Sequence, residues 1–174
     1  MAASVDKLTI TEFERQYADR KPYHEFWFGE AVSKSKPTWL HGLLQKIIMM
    51  ALDGAGYTSA SEVELRISSD FAPVPDVIAT AGPIEPPYPT EPVDVVVGIL
   101  SPEDSFQRLV RKCRLYSAWG IPTIAVLDPD DREGWIWDRQ NEELKKTPSI
   151  ALHNGQSIPL DEVFDELDRR ANRK

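Results

Sequence analysis

Val93-Asp94-Val95-Val96-Val97-Gly98-Ile99-Leu100, closed by Ser101-Pro102, is the stretch whose reading decides the fold. It is a short, nearly continuous apolar run, the pattern of a central strand buried on both faces. Phe106, Leu109, Val110, Cys113 and Tyr116 follow at helical spacing and stop at Gly120. Pro122-Thr123-Ile124-Ala125-Val126-Leu127 is then a second buried run. Strand, helix and strand in this order predict a right-handed parallel crossover with the helix packed on the sheet.

Upstream, Pro75-Asp76-Val77-Ile78-Ala79 reads as another two-sided strand, and the proline-rich Pro83 to Pro89 is a stiff extended loop. Val63, Leu65 and Ile67 alternate with Glu62, Glu64 and Arg66, which predicts a half-buried strand. Leu40, Leu43, Leu44, Ile47, Ile48 and Ala51 form the stripe of an amphipathic helix stopped by Gly54 and Gly56. The aromatic segment His24 to Lys34, broken at Gly29, predicts a β-hairpin or bent strand pair. A first helix starts near Thr9, with Thr11 and Glu14 at capping-box spacing.

Downstream, Asp128-Pro129-Asp130-Asp131 predicts a turn, and Trp135-Ile136-Trp137 a returning strand. A weaker strand falls near Lys145 to Thr147. Leu160, Val163, Phe164 and Leu167 mark a last helix. The fold class is therefore α/β, one mixed sheet flanked by helices in a single domain over 1–174, with ends frayed at about 1–8 and 169–174.

A chain of 174 residues can build one real core. No apolar stretch reaches membrane-spanning length, and the N-terminus lacks the basic start and apolar run of a signal peptide. Cys113 is the single cysteine, so there is neither a disulfide framework nor a cysteine metal cage; the thiol reads as a small core residue. The expectation is a cytoplasmic protein with no membrane partner. A net charge of −8 argues against a generic nucleic-acid binder. It leaves room for local binding through Arg108, Arg111, Lys112 and Arg114 on one helix, and Lys34 and Lys36 on a smaller patch. Glycine-rich phosphate loops, a nucleophile elbow, zinc signatures and a dinucleotide fingerprint are absent.

Several short motifs recur in a telling order: Gly29-Glu30, His41 on the first long helix, Pro75-Asp76 at a strand, Ile99-Leu100-Ser101-Pro102 at a strand end, Lys112 followed by Leu115-Tyr116, and Gly120-Ile121-Pro122 running to Asp128-Pro129. In this the chain resembles the Uma-two family of restriction-endonuclease-like proteins, within the PD-(D/E)XK nuclease superfamily. The resemblance covers roughly Thr9 to Phe164. It implies a restriction-endonuclease-like fold and a magnesium-dependent DNA endonuclease, with manganese as a substitute ion and a homodimer as the assembly.

The resemblance also implies roles. Asp76 would hold the ion, the carbonyl of Ile99 could add a ligand, and Lys112 would orient water or stabilise developing negative charge. Glu30 could serve a second ion, and His41 could act in acid–base chemistry, touch substrate, or be structural. Two departures stand out. Gly98 occupies the place of the family's second acid, and Arg108 the place of an acid four residues before the helical lysine. Glu64, Glu103 or Glu30 would then have to supply the missing carboxylate, although Glu103 and Asp104 read first as helix capping and favourable charge at a helix N-terminus. The alternative function is a catalytically inactive nuclease-fold module that binds nucleic acid or protein. Trp135 and Trp137 share a strand face, either to pack on a helix or to stack on bases.

Overall fold

In a computed structural model that describes residues 7–84 and 86–173, the run at the centre of the sequence becomes the centre of the fold. The elements are α1 (Ile10–Tyr17), β1 (His24–Trp27), β2 (Glu30–Ser33), α2 (Trp39–Gly54), β3 (Thr58–Ser61), β4 (Phe71–Ala72), β5 (Val77–Thr80), β6 (Val95–Ile99), α3 (Phe106–Trp119), β7 (Thr123–Asp128), β8 (Glu133–Asp138), β9 (Glu143–Lys146), β10 (Ser149–Ala151), β11 (Ser157–Pro159) and α4 (Leu160–Ala171). The main sheet has six strands in the order β3-β5-β6-β7-β8-β9. β6 and β7 pair in parallel, from Val95↔Thr123 to Ile99↔Leu127, and every other pair in this sheet is antiparallel. The parallel pair is the predicted strand–helix–strand unit, and α3 is its connection. No helix among the described residues is long and apolar enough to cross a membrane.

Strand alternation divides the core between two faces. Val77, Ala79, Val95, Val97 and Ile99 pack with Leu44, Ile48 and Leu52 of α2 and with Val163, Phe164 and Leu167 of α4. Ile78, Val96, Ile124 and Val126 point the other way, onto Cys113 and Tyr116 of α3. Burial in this second layer pushes the Cys113 thiol up to about 12, so it is an inert core group. Trp135 and Trp137 belong to the same layer, which decides between their two readings: they pack.

A smaller sheet, β2-β1-β4, sits at one end. Its hairpin turns through Phe28 and Gly29, both at positive φ (51° and 91°), between the paired Trp27 and Glu30. Positive φ at both central residues is the two-residue turn whose twist suits a hairpin. Phe26 and Trp27 are buried, Phe26 against Phe13 of α1 and Trp27 edge-on to Phe71. Phe26 and Trp27 are thus covered within one chain, and Phe28 at the turn is half-buried.

Three local expectations shift. The capping box of α1 is Thr9 with Glu12, not Thr11 with Glu14: the Glu12 N–H donates to Thr9 Oγ1 at 3.2 Å and the Thr9 N–H to Glu12 Oε2 at 2.8 Å. The same spacing occurs twice in sequence, and the helix starts at the earlier copy. Val63 to Ile67 buries Leu65 as its alternation requires but forms no ladder. Its N–H groups at Leu65 and Arg66 donate to the carbonyls of Pro73 and Pro89, each at 2.9 Å, and prolines have no N–H to return. At the C-terminus α4 continues through Arg169 and Arg170, both paired with Glu166, to Ala171. Residues 1–6, where fraying is expected, lie outside the described residues; Leu8 donates its N–H to the Gly29 carbonyl at 2.9 Å.

Gly29 is under double constraint. Its φ is +91°, and a Cβ there would stand 2.5 Å from Lys7 Cβ. Gly29→Ala is expected to lower stability by about 1–3 kcal/mol through backbone strain, read as a shift in urea midpoint with unchanged slope.

Candidate active site

The cleft lies between the small sheet, the N-terminal half of α2 and the face of the main sheet under α3. Asp76 stands one residue before β5, on the same alternation as Ile78, and so faces the α3 side. Its Oδ2 accepts the Ile99 N–H of the neighbouring strand at 2.7 Å. Its Oδ1 lies 3.2 Å from Lys34 Nζ and 3.5 Å from His41 Nε2. Burial alone would raise this carboxyl; the hydrogen bond from His41, the positive Lys34 and the Ile99 N–H override it and hold the carboxyl far below its ordinary range.

His41 is on the first turn of α2, whose N-cap Thr38 accepts the His41 N–H at 3.1 Å. That anchor fixes the ring between Asp76 on one nitrogen and Ser101 Oγ on the other, the latter at 3.5 Å. Glu62 follows β3 directly, in a left-handed conformation with φ 57°. Its N–H donates to the Asp76 carbonyl at 3.3 Å, and its carboxylate turns toward the cleft. His41, Glu62 and Asp76 each offer a ligand atom, and these atoms lie within 4.8 Å of one another. A divalent ion that accepts both imidazole and carboxylate, manganese more readily than magnesium, fits this donor set.

A second charged pair lines the same cleft. Lys112 reaches down from α3 to Glu25 on β1, with Nζ and Oε1 2.5 Å apart. Glu25 is only 4% exposed. It also accepts the Val74 N–H at 2.8 Å and Trp27 Nε1–H at 3.0 Å, so its lone pairs are well used. Burial works against the Lys112 ammonium, but the charge and hydrogen bond of Glu25 outweigh it, with Asp76 adding to the field. Lys112 therefore stays protonated and is a fixed positive charge, not a base.

A profile of the Uma2 family, described as "Putative restriction endonuclease", matches residues 10–172. The chain belongs to the Uma2 family. The fold agrees. The crystal structure of "a putative nuclease belonging to DUF820 from Anabaena variabilis ATCC 29413" is similar at TM-score 0.76 and 18% identity, over 92% of this chain and 99% of that one. The shared architecture is the restriction-endonuclease-like mixed sheet flanked by helices. A DrdV–DNA complex is similar at TM-score 0.39 and 14% identity, over 71% of this chain and 10% of that one. No curated protein matches the chain.

In this Uma2 protein the cleft gathers Asp76, His41 and Lys112 from the sequence-derived set. The main-chain group of Ile99 that meets Asp76 is its N–H rather than its carbonyl. Glu64 is elsewhere, paired with Arg66 Nε at 2.5 Å, and burial raises its carboxyl. Glu103 is exposed and does not line the cleft; nor does it cap α3, whose first turn carries no acid. Glu30 is exposed in an adjoining groove with Lys7, Gln107 and Arg111, which shares Ser105 and Arg108 with the cleft. The basic residues of α3 also part company: Arg108 lines the cleft, Arg111 stacks over Trp27 and Phe28, and Arg114 pairs with Glu142.

Two acids at the site carry weak sequence signals. Glu62 belongs to the same alternation as Glu64, and only the left-handed backbone after β3 selects it. Glu25 is an acid inside the aromatic run His24-Glu25-Phe26-Trp27, and that misplacement was its one signal. Gly98 lines the cleft on the Val96 alternation, and a Cβ there would meet only Leu109 Cδ1, at 3.9 Å. Position 98 thus leaves room for a Cβ on the cleft side.

Because the folded Asp76 carboxyl is depressed, its contribution is fully present above the ordinary carboxylate value and is lost as pH falls toward the folded one. Asp76→Asn is expected to lower stability at pH 7 by about 1–3 kcal/mol, the loss of charged hydrogen bonds. The difference from wild type should narrow by pH 3. Urea denaturation at the two pH values checks it; an equal gap at both would contradict this origin.

Proposed function

We propose that this protein is a divalent-metal-dependent nuclease that hydrolyses DNA phosphodiester bonds at the Asp76 cleft. One observation carries the reading: Asp76, His41 and Glu62 present ligand atoms within 4.8 Å of one another, in the cleft that also holds the Lys112 ammonium. Asp76 and Glu62 would hold the ion, with His41 as a nitrogen ligand or beside it. When bound, such an ion supplies Lewis acidity and lowers the pKa of water. Lys112, fixed by Glu25, places positive charge where a phosphoryl oxygen gains negative charge. Arg108 at the cleft edge offers a phosphate contact. His41 supplies an imidazole that can accept a proton from water or position it.

A second reading has its own observation. The Asp76 carboxylate is already engaged by Ile99, Lys34 and His41, and position 98 adds no acid. Those facts favour the inactive nuclease-fold binding module. Purified protein incubated with plasmid DNA and Mn²⁺ or Mg²⁺ separates the two. The nuclease reading expects cleavage that EDTA stops and Asp76→Asn abolishes; binding without cleavage supports the module. Gly98→Glu, whose Cβ would meet only Leu109, is expected to raise Mn²⁺ affinity by about tenfold or more by adding a carboxylate on the Asp76 face. Unchanged affinity and cleavage would mean the cleft is not built for an ion.

The reading includes DNA as partner and a two-fold homodimer. The apolar surface available for pairing includes Trp39 and Phe106, 72% and 69% exposed at the starts of α2 and α3. Light scattering should then give twice the chain mass at high micromolar concentration; a monomer there overturns the dimer.

A further inference from the structure

The group that the functional reading leaves over is Lys34. It follows β2 directly, where its N–H continues the hairpin ladder to the Tyr23 carbonyl at 2.8 Å. Its side chain is 15% exposed. The ammonium donates to Glu62 Oε2 at 2.6 Å, to the Val74 carbonyl at 2.9 Å and to Asp76 Oδ1 at 3.2 Å. A lysine has three N–H donors, and here all three have acceptors. Two of those acceptors are the carboxylates of the candidate metal cluster.

We propose that Lys34 is the resident cation of the Asp76–Glu62 cage, and that its ammonium and a divalent ion are mutually exclusive occupants. The inference rests on the reading of His41, Glu62 and Asp76 as metal ligands. Asp76 Oδ2 is committed to the Ile99 N–H, so Oδ1 is the oxygen turned toward Glu62 and His41, and Lys34 already holds it. A divalent ion binds carboxylate oxygen at roughly 2.0–2.2 Å, and an ion on these oxygens would be pressed against the ammonium. Like charges at such a separation repel strongly in a partly buried site. Metal entry therefore requires Lys34 to swing out and give up three hydrogen bonds, two of them to carboxylates. Without metal, Lys34 neutralises the largely buried Asp76 and the more exposed Glu62, so the cage stays folded with no ion. The cleft thus has no acid at position 98 and a competing cation at position 34. Both features lower metal affinity.

The test is Mn²⁺ binding to the full chain, read by calorimetry or by loss of the free-ion EPR signal, for wild type, Lys34→Met and Lys34→Gln. Both variants should bind Mn²⁺ about tenfold to a hundredfold tighter, the scale of charged hydrogen bonds that no longer have to break. They should melt below wild type without metal and recover with Mn²⁺. Adding Asp76→Asn to Lys34→Met should abolish the gain. In wild type, saturating Mn²⁺ should increase acylation of the Lys34 amine, measured by mass spectrometry, which keeps the inference testable if neither variant folds. Equal or weaker affinity in the variants, or bound Mn²⁺ that leaves Lys34 labelling unchanged, overturns it. DNA cleavage assayed in parallel separates the two readings. Tighter Mn²⁺ binding without cleavage sustains the role of Lys34 and sinks the nuclease; metal-dependent cleavage by wild type with equal affinities does the reverse.

Discussion

Asp76 and Glu25 are carboxylates taken out of water at the seam between the two sheets, and a buried charge that is not matched and hydrogen-bonded costs several kcal/mol. Each is matched by a lysine from a different element: Lys34 from the end of the hairpin, Lys112 from α3. Each also takes a backbone N–H, from Ile99 and Val74 respectively. These pairings tie the small sheet, the main sheet and α3 to one another through charge, where the apolar core clusters divide into separate layers. The cleft exists because that seam is polar.

The two lysines are not equivalent. Lys112 is anchored by an acid outside the candidate metal cluster, so it can remain in place whatever enters the cleft. Lys34 is anchored by the cluster itself. One is a fixed feature of the site and the other a rival for it. Net charge conceals this, since an acidic chain of −8 still sets Lys34, Arg108 and Lys112 among the acids of its cleft.

Gly98 shows how a glycine fits the middle of a buried strand without collapse. In many buried strands a glycine would leave a hole or mark a close approach of backbone. Here the strand keeps its ladder to β7, the alternation keeps Val96 under α3, and the space beside Leu109 stays open to the cleft.

The sequence alone determined the strands and helices whose burial is strong and periodic. The run at 95–99, the stripe of α2, the crossover through α3 and the stripe of α4 were all legible, because apolar periodicity records which face is buried. It also determined the family and brought Asp76, His41 and Lys112 forward. What it could not separate were residues of one type sharing one alternation. Glu62 and Glu64 look alike in sequence; a left-handed backbone at Glu62 sends it to Asp76 and leaves Glu64 to Arg66. Val63 to Ile67 has a strand's pattern, but only the chain folded against it shows that its partners are prolines. Glu25 and Lys34 became site residues when the hairpin docked on the sheet, because ion pairs between distant segments are set by tertiary packing and leave no period in the chain.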